Sequence, residues 1–194
     1  MEIGSFDRDW EGLFNPRAIA VVGASNSLGK WGFVMPMSIL GGGYGGRLFM
    51  VNPTEAEVLG MRSYPTLADI GEDIDLVVVT LHARKVEPVL EQAAARGVRN
   101  VLVVASNFSE VGEEGAALEL ELARAANAMG VTIIGPNTMG IYSASATLCA
   151  LGATNFPLRG SVGLVSQSGN LGVQLLSWGK RRGVGFSRFV GSCN

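Results

Sequence analysis

A glycine- and serine-rich segment near the N-terminus has the residue types of a phosphate-binding turn. Residues 18–30 read AIAVVGASNSLGK, so an apolar strand passes through a turn into a predicted helix. The first amides of a helix lack partners within the helix and carry partial positive charge, which favours phosphate. Gly23 permits close approach of the backbone, and Ser25 and Ser27 add hydroxyl donors. Lys30 adds a cation at the same end. The alternative is a structural turn in which a serine caps the helix.

A second candidate anion site lies at Ser166-Gln167-Ser168-Gly169, where another predicted strand leads into a helix. A hydrolase nucleophile elbow places glycines two residues before and after the serine, and neither Ser166 nor Ser168 has that spacing. A serine triad would also need a later histidine, and His82 is the only histidine in the sequence. The pattern therefore indicates phosphate recognition by Ser166, Ser168 and Gly169, or a plain helix cap.

The end of the second predicted strand argues against a nicotinamide cofactor. Such sites place an acidic residue there to hold a ribose, and this chain has Asn52-Pro53-Thr54 with no carboxylate before Glu55. The glycine spacing in the first turn also differs from G-x-G-x-x-G. An NAD(P)-dependent oxidoreductase is therefore disfavoured, although it stays open as an alternative.

The composition limits the binding partners and the cellular compartment that we expect for this protein. The 194 residues are 47% hydrophobic and carry a net charge of −2 without a basic run, so nucleic acid is not an expected partner. Cys149 and Cys193 lack metal-ligand spacing, which predicts no metal site. We expect free thiols in a reducing compartment, with a disulfide between the two as the alternative. The polar N-terminus is not a signal peptide, and no apolar run approaches the roughly 20 residues of a membrane span. We therefore expect a cytoplasmic protein without membrane association.

The elements that must position these residues alternate between strand and helix. Continuous apolar runs predict strands at 18–23, 47–51, 75–80, 100–105 and 131–134. Helical spacing predicts helices at 30–40, 86–96 and 113–129, with Leu118, Leu120 and Leu122 in the core. This alternation is typical of an α/β fold, a Rossmann-like doubly wound parallel sheet that binds ligands at the carboxyl ends of its strands. Residues 58–65 are a short excursion and residues 141–160 are mixed.

The pattern then restarts with a strand at 161–166, a helix at 168–181 and a strand at 186–190. We predict two domains, residues 1–145 and residues 146–194. One βαβ unit cannot build its own core. The second part therefore needs more chain, or it packs on the first domain or on another chain.

Several motifs, each at a predicted strand end, together carry a family resemblance. They are Gly23-Ala24-Ser25 with Gly29, Val51-Asn52-Pro53, Leu59-Gly60, Tyr64-Pro65, Phe108 with Glu110-Val111-Gly112-Glu113-Glu114-Gly115, Gly135-Pro136-Asn137 with Gly140, and Val165-Ser166-Gln167-Ser168-Gly169. From about Leu13 to Asn194 the chain resembles the CoA-binding domain of NDP-forming acyl-CoA synthetases. That family includes ADP-forming acetyl-CoA synthetase and the α subunit of succinyl-CoA synthetase. The resemblance implies that the last residues begin a flavodoxin-like ligase domain.

The resemblance also implies which residues bind coenzyme A. The implied CoA-binding residues are Gly23, Ala24, Ser25, Asn26, Ser27, Gly29, Lys30, Asn52, Pro53, Thr54, Thr80, Leu81, His82, Ser106, Asn107, Glu110 and Asn137. No catalytic residue is expected within the chain, because the family's phosphorylated histidine lies later, beyond Asn194. His82 is expected to contact ligand or solvent.

This chain departs from the family pattern at three places. Thr54 stands where many members have lysine, with Arg62 as a possible replacement charge. Leu81-His82-Ala83 replaces Val-Pro-Ala, and Asn107 replaces a residue that is usually small. These departures predict a weaker or reshaped CoA pocket.

The implied reaction interconverts a thioester with its free acid and thiol, and the family is classed as acid–thiol ligases. Acyl-CoA, phosphate and ADP become free acid, CoA and ATP, through an acyl phosphate and then a phosphohistidine. The expected partners are CoA and acyl-CoA, and an ATP-grasp domain or β subunit that carries ATP or ADP with Mg²⁺. An oligomer is also expected. A non-catalytic module that senses CoA or a nucleotide stays open as an alternative.

Overall fold

The computed structural model describes residues 8–153 and 156–192. The strands are β1 (Ala18–Val22), β2 (Arg47–Val51), β3 (Glu57–Val58), β4 (Met61–Tyr64), β5 (Leu76–Val79), β6 (Asn100–Val103), β7 (Thr132–Ile134), β8 (Gly140–Ser143), β9 (Leu148–Leu151), β10 (Arg159–Ser166) and β11 (Phe186–Gly191). The α-helices are α1 (Trp10–Phe14), α2 (Trp31–Gly41), α3 (Val86–Ala95), α4 (Glu113–Met129) and α5 (Gly169–Arg181). Single 3-10 turns lie at Leu67–Asp69, Ala83–Lys85 and Ser109–Val111.

Seven strands form the first sheet, in the order β3-β4-β2-β1-β5-β6-β7. β1 pairs in parallel with both β2 and β5, and β3 runs antiparallel to β4 at one edge. Residues of α3 and α4 cover one face of the sheet and residues of α2 cover the other. All five residues of β1 are buried, as expected for a strand covered on both faces. The predicted Rossmann-like doubly wound α/β fold is therefore confirmed.

Helix α2 is apolar on nearly all sides because it is packed on two sides. Its sequence is WGFVMPMSILG, and Met35 and Ile39 are fully buried. The hairpin of β8 and β9 lies on its outer side, where the Ser38 hydroxyl donates to the Cys149 carbonyl at 2.8 Å. Leu148 joins the same core cluster as Met35 and Ile39. A helix that is hydrophobic all round is expected in such a buried position.

The second sheet has four strands, in the order β10-β11-β8-β9. β10 and β11 are parallel and joined by α5, so the predicted βαβ unit is present. β11 also pairs antiparallel with β8, which pairs with β9. The second part of the chain therefore packs on the first through the hairpin, one of the arrangements that the sequence left open. The predicted division after residue 145 falls in the turn between β8 and β9 and stays a prediction.

Three sequence predictions need correction. Residues 141–160 are not merely mixed, because they contain β9 and all but the first residue of β8, the two strands of the hairpin. The excursion at 58–65 contains β4, which extends the main sheet by pairing with β2. Leu120 is 52% exposed, whereas Leu122 is 3% exposed. Residues i and i+4 share a helix face and residue i+2 does not, so Leu118 and Leu122 face the sheet without Leu120. Across the described residues, no helix is long and apolar enough to cross a membrane.

Candidate functional site

The loops after β1, β2 and β5 meet at the carboxyl edge of the first sheet. The chain turns to opposite sides after β1 and after β5, and such a switch point is where doubly wound sheets bind ligands. Asn52 Nδ2 donates to the Ala24 carbonyl at 2.7 Å, which joins the loop after β2 to the turn after β1. Thr80 Oγ1 donates to the Val22 carbonyl at 3.0 Å from the other side. Three of the sequence-predicted segments are thus brought together.

Two glycines allow the backbone to approach closely in this crevice. Gly23 has φ +88°, and a Cβ there would lie 2.8 Å from Thr80 Oγ1 and 2.7 Å from a Leu81 methyl carbon. A Cβ on Gly32, the second residue of α2, would lie 2.0 Å from the Gly23 carbonyl oxygen. Gly32 therefore does what the third glycine of a dinucleotide fingerprint does, which is to permit close packing of helix on strand. Sequence reasoning missed it, although a glycine just inside a predicted helix is a readable signal.

The N-terminus of α2 keeps free donors. Helix α2 begins at Trp31, one residue later than predicted, and its N-cap Lys30 makes no side-chain capping bond. No hydrogen-bond partner for the amides of Trp31 and Gly32 is found among the described residues. The interpretation in which a serine caps this helix is therefore wrong. The Ser25 hydroxyl instead accepts from the Ser27 amide at 3.1 Å. The geometry is that of an anion site.

Space for a ligand is present beside these donors. Gly29 has φ +78°, and a Cβ there would meet no atom within 4 Å. Lys30 is exposed at the same end of the helix, next to the exposed Ser27. The donor set therefore fits the diphosphate of a nucleotide-like ligand.

Glu55, the acidic residue after β2, is hydrogen-bonded to the turn after β1. Glu55 Oε2 accepts from the Asn26 amide at 3.0 Å and from Asn26 Nδ2 at 2.7 Å. The bond from the Asn26 amide, followed by one from the Ser25 side chain, lowers the pKa of Glu55. Glu55 is thus an ionised carboxylate that braces the turn. This arrangement argues against the nicotinamide alternative, in which a carboxylate at this place would hold a ribose.

The side chain of Asn52 shapes the loop after β2. Its Oδ1 accepts from the Thr54 amide at 2.8 Å and from Thr54 Oγ1 at 2.9 Å, while Pro53 between them is exposed. Direct ligand contacts of Asn26, Asn52, Pro53 and Thr54 stay predictions.

The loops after β6 and β7 continue the same edge. The Glu110 carboxylate accepts from the Asn107 amide at 2.5 Å and from the Phe108 amide at 3.1 Å. Ser106 and Asn107 are exposed, and Asn107 has φ +74°. The Asn137 amide donates to the Ala105 carbonyl at 2.8 Å, which ties the two loops together. These residues form a polar rim beside the crevice.

His82 lines a cavity of about 350 Å³ together with Asn107 and Glu114. Its side chain is exposed, as expected for a residue that contacts ligand or solvent. Arg84 in the same cavity forms an ion pair with Glu114. Within the described residues, no group of three His, Cys, Asp or Glu side chains is arranged to hold a metal ion.

The second candidate anion site has a conventional helix cap. Ser168 is the N-cap of α5, and its Oγ accepts from the Leu171 amide at 3.3 Å. The Ser166 hydroxyl donates to the Ser168 carbonyl at 2.8 Å. A Cβ on Gly169 would lie 2.2 Å from Met139 Cγ, so the start of α5 packs against the segment that follows β7. The capping role is thus present, and phosphate recognition there stays a prediction.

The domain that contains the crevice matches a known protein family. The family described as CoA binding domain matches residues 17–144. The chain belongs to this family. A second family, the succinyl-CoA ligase like flavodoxin domain, matches residues 159–194. The resemblance to the CoA-binding domain of NDP-forming acyl-CoA synthetases is therefore confirmed.

Relatives of the CoA-binding domain have longer chains. Acetate–CoA ligase [ADP-forming] I of Archaeoglobus fulgidus is 36% identical over 180 residues, which are 93% of this chain and 26% of the relative. The α subunit of acetate–CoA ligase [ADP-forming] I of Pyrococcus furiosus is 36% identical over 184 residues, 93% of this chain and 40% of the relative. The chain therefore spans between a quarter and two fifths of the length of these two relatives.

A solved structure agrees with the fold. The dinucleotide-forming acetyl-coenzyme A synthetase 1 of Ca. Korarchaeum cryptofilum, in complex with phosphate and ADP, superposes with a TM-score of 0.90 at 37% identity. The match covers 95% of this chain and 39% of that chain. A likeness at this identity that spans both sheets supports the arrangement of the carboxyl-edge loops described above.

Proposed function

We propose that this chain is the CoA-binding portion of an NDP-forming acyl-CoA synthetase, an acid–thiol ligase that is not competent as this portion alone. The overall reaction converts acyl-CoA, ADP and phosphate to free acid, CoA and ATP. The observation that carries the proposal is the pair of unpartnered amides at Trp31 and Gly32, in a crevice where Gly23 and Gly32 permit close approach. Donors of this kind suit the diphosphate of CoA.

In the proposal, CoA occupies the crevice and the polar rim beside it. Its diphosphate lies against the turn from Gly23 to Lys30, and its adenosine lies over the loops at Asn52–Thr54 and Thr80–His82. The pantetheine arm then runs past Ser106, Asn107, Glu110 and Asn137. Because Gly169 packs against Met139, the arm would leave the rim close to the Ser166–Gly169 turn. Phosphate bound at that turn would thus lie near the reacting thioester.

Exposed apolar side chains on β10 and α5 support a larger assembly. Val165 is 70% exposed, Leu171 is 54% exposed and Trp178 is 53% exposed. An apolar surface of this kind marks an interface. In the proposal it is covered by the remainder of the flavodoxin-like ligase domain, which also supplies the phosphorylated histidine. An ATP-grasp domain or β subunit supplies ATP or ADP with Mg²⁺, in an oligomeric cytoplasmic enzyme.

Calorimetric titration of the chain with CoA and with NAD tests the proposal. We expect CoA to bind and NAD to show no saturable heat. Binding of NAD in preference to CoA, or an absence of CoA binding, would overturn the proposal.

A lysine variant tests the location of the diphosphate. Lys30→Ala removes the cation beside the free amides, so we expect CoA affinity to fall by about threefold to tenfold, with a shallower dependence on salt. Lys180→Ala is the matched control, because Lys180 is exposed at the far end of α5. Equal effects of the two variants would place the diphosphate elsewhere.

A further inference from the structure

The Arg62 side chain, near the proposed adenosine position, is stacked on an aromatic ring. Arg62 lies on β4, the outer neighbour of β2, and its guanidinium carbon is 4.8 Å from the centroid of the Tyr64 ring. A guanidinium stacked on an aromatic face is held in place while its N–H groups stay available. Arg62 is exposed, and no carboxylate within 4.0 Å of it is found among the described residues. Glu57 is its cross-strand neighbour, yet the two form no ion pair.

The ring below Arg62 is fixed to the end of β2. The Tyr64 carbonyl accepts from the Asn52 amide at 2.9 Å, at the residue that follows β2. The Tyr64 ring meets Phe49 edge-on, with 5.9 Å between ring centroids, and packs with Leu81 against the same core cluster. Tyr64 and Leu81 therefore lie on the same face of the sheet, and Arg62 is stacked on Tyr64.

Two other cations near this edge of the sheet are paired with a carboxylate or lie in a different loop. Arg84 is paired with Glu114, and Lys30 belongs to the turn after β1. Thr54, in the loop after β2, is uncharged and donates its hydroxyl to Asn52 Oδ1. Arg62 is thus the cation best placed for an anion attached to a ribose over β2.

We propose that Arg62, held over Tyr64, recognises the 3′-phosphate on the ribose of CoA. This inference rests on the proposed binding of CoA in the crevice. In doubly wound sheets a ribose lies at the end of the second strand, and an arginine nearby is the usual recognition group for a ribose phosphate. A guanidinium matches the geometry of a phosphate with two parallel hydrogen bonds. Arg62 is therefore a specificity-determining residue that distinguishes CoA from the same molecule without this phosphate.

Calorimetry with CoA and dephospho-CoA tests the assignment, because the two ligands differ only in the 3′-phosphate. We expect the unmodified chain to bind CoA about tenfold more tightly. Arg62→Ala should abolish this preference and leave the Kd for dephospho-CoA unchanged, which also shows that the variant is folded. Arg99→Ala, an exposed arginine just before β6 at the opposite edge of the sheet, should keep the preference.

The outcomes separate the two proposals. If neither ligand binds the unmodified chain, the proposed CoA-binding function is wrong. If both bind equally well, or if Arg62→Ala keeps the tenfold preference, the role of Arg62 is overturned while CoA binding stands. An equal loss of both ligands in Arg62→Ala also overturns that role, because it would show a general effect on the crevice.

Discussion

Replacement of Gly32 by alanine tests the packing on which the crevice depends. The added Cβ would lie 2.0 Å from the Gly23 carbonyl oxygen, 3.1 Å from its carbon and 3.3 Å from the Ser25 nitrogen. These are backbone atoms, so helix and strand must separate by about 1 Å, and a clash this short belongs to the upper part of the overpacking range, about 2–3 kcal/mol. The shift also strains the bond from the Ser25 amide to the Gly32 carbonyl, now 2.9 Å. Alanine regains about 1 kcal/mol of helix propensity.

The net expectation for Gly32→Ala is a loss of about 1–2 kcal/mol of unfolding free energy. For a chain of this size that lowers the Tm by roughly 2–8 °C in thermal unfolding followed by circular dichroism. Because the free amides of α2 move with the helix, CoA affinity should also fall about tenfold or more by calorimetry. Gly71→Ala is the control, since a Cβ there meets nothing within 4 Å and its φ is not positive. An unchanged Tm with unchanged CoA affinity would refute the close-approach argument.

Three further predictions concern stability, pH and thiol reactivity. In urea unfolding, Leu122→Ala should lower the free energy of unfolding by about 2–5 kcal/mol, because Leu122 is only 3% exposed. Leu120→Ala should change it by no more than about 0.5 kcal/mol, because Leu120 is 52% exposed. Similar losses in the two variants would contradict the assigned helix face. The hydrogen bond from the Asn26 amide lowers the pKa of Glu55 below 4.5. The ionised carboxylate therefore stabilises the folded protein fully above pH 4.5, and this contribution is lost as the pH falls through the pKa of Glu55 in the folded state. The stability difference from Glu55→Gln, measured by urea unfolding, should therefore shrink in acid, and a constant difference would contradict the bracing role. Burial raises the pKa of Cys149 to about 11, so mass spectrometry should find it unalkylated by iodoacetamide at neutral pH until urea is added; rapid alkylation of the native protein would show that the thiol is accessible.

Much of the main sheet could be predicted because its strands are local in sequence. Each of β1, β2, β5, β6 and β7 is a short apolar run bounded by turn residues, and such runs are readable one at a time. β4 has the sequence MRSY, which is neither continuously apolar nor alternating. It is a strand because β2 offers it an unpaired edge. The hairpin of β8 and β9 was missed for a similar reason, since its burial comes from α2 and β11.

The candidate site also has features that could be predicted from the sequence and features that depend on tertiary packing. The turn from Gly23 to Lys30 was readable because a strand, a glycine and a helix follow one another within a few residues. The role of Glu55 was not, because its carboxylate meets Asn26 across 29 residues of sequence. Gly32 lies within the readable segment, yet its contact with Gly23 exists only once the helix is laid against the strand.

The residue pattern of the chain is enough to specify alternating strands and helices, and hence a parallel sheet whose carboxyl edge holds the polar turns. It also carries the motifs that relate the chain to CoA-binding domains, because each motif is a short run at a strand end. Packing alone settles which donors at that edge stay free, which carboxylate is used to brace the turn and where Arg62 is held. These features depend on distances between residues far apart in sequence, and such distances are set only when the sheets, α2 and the hairpin close on one another.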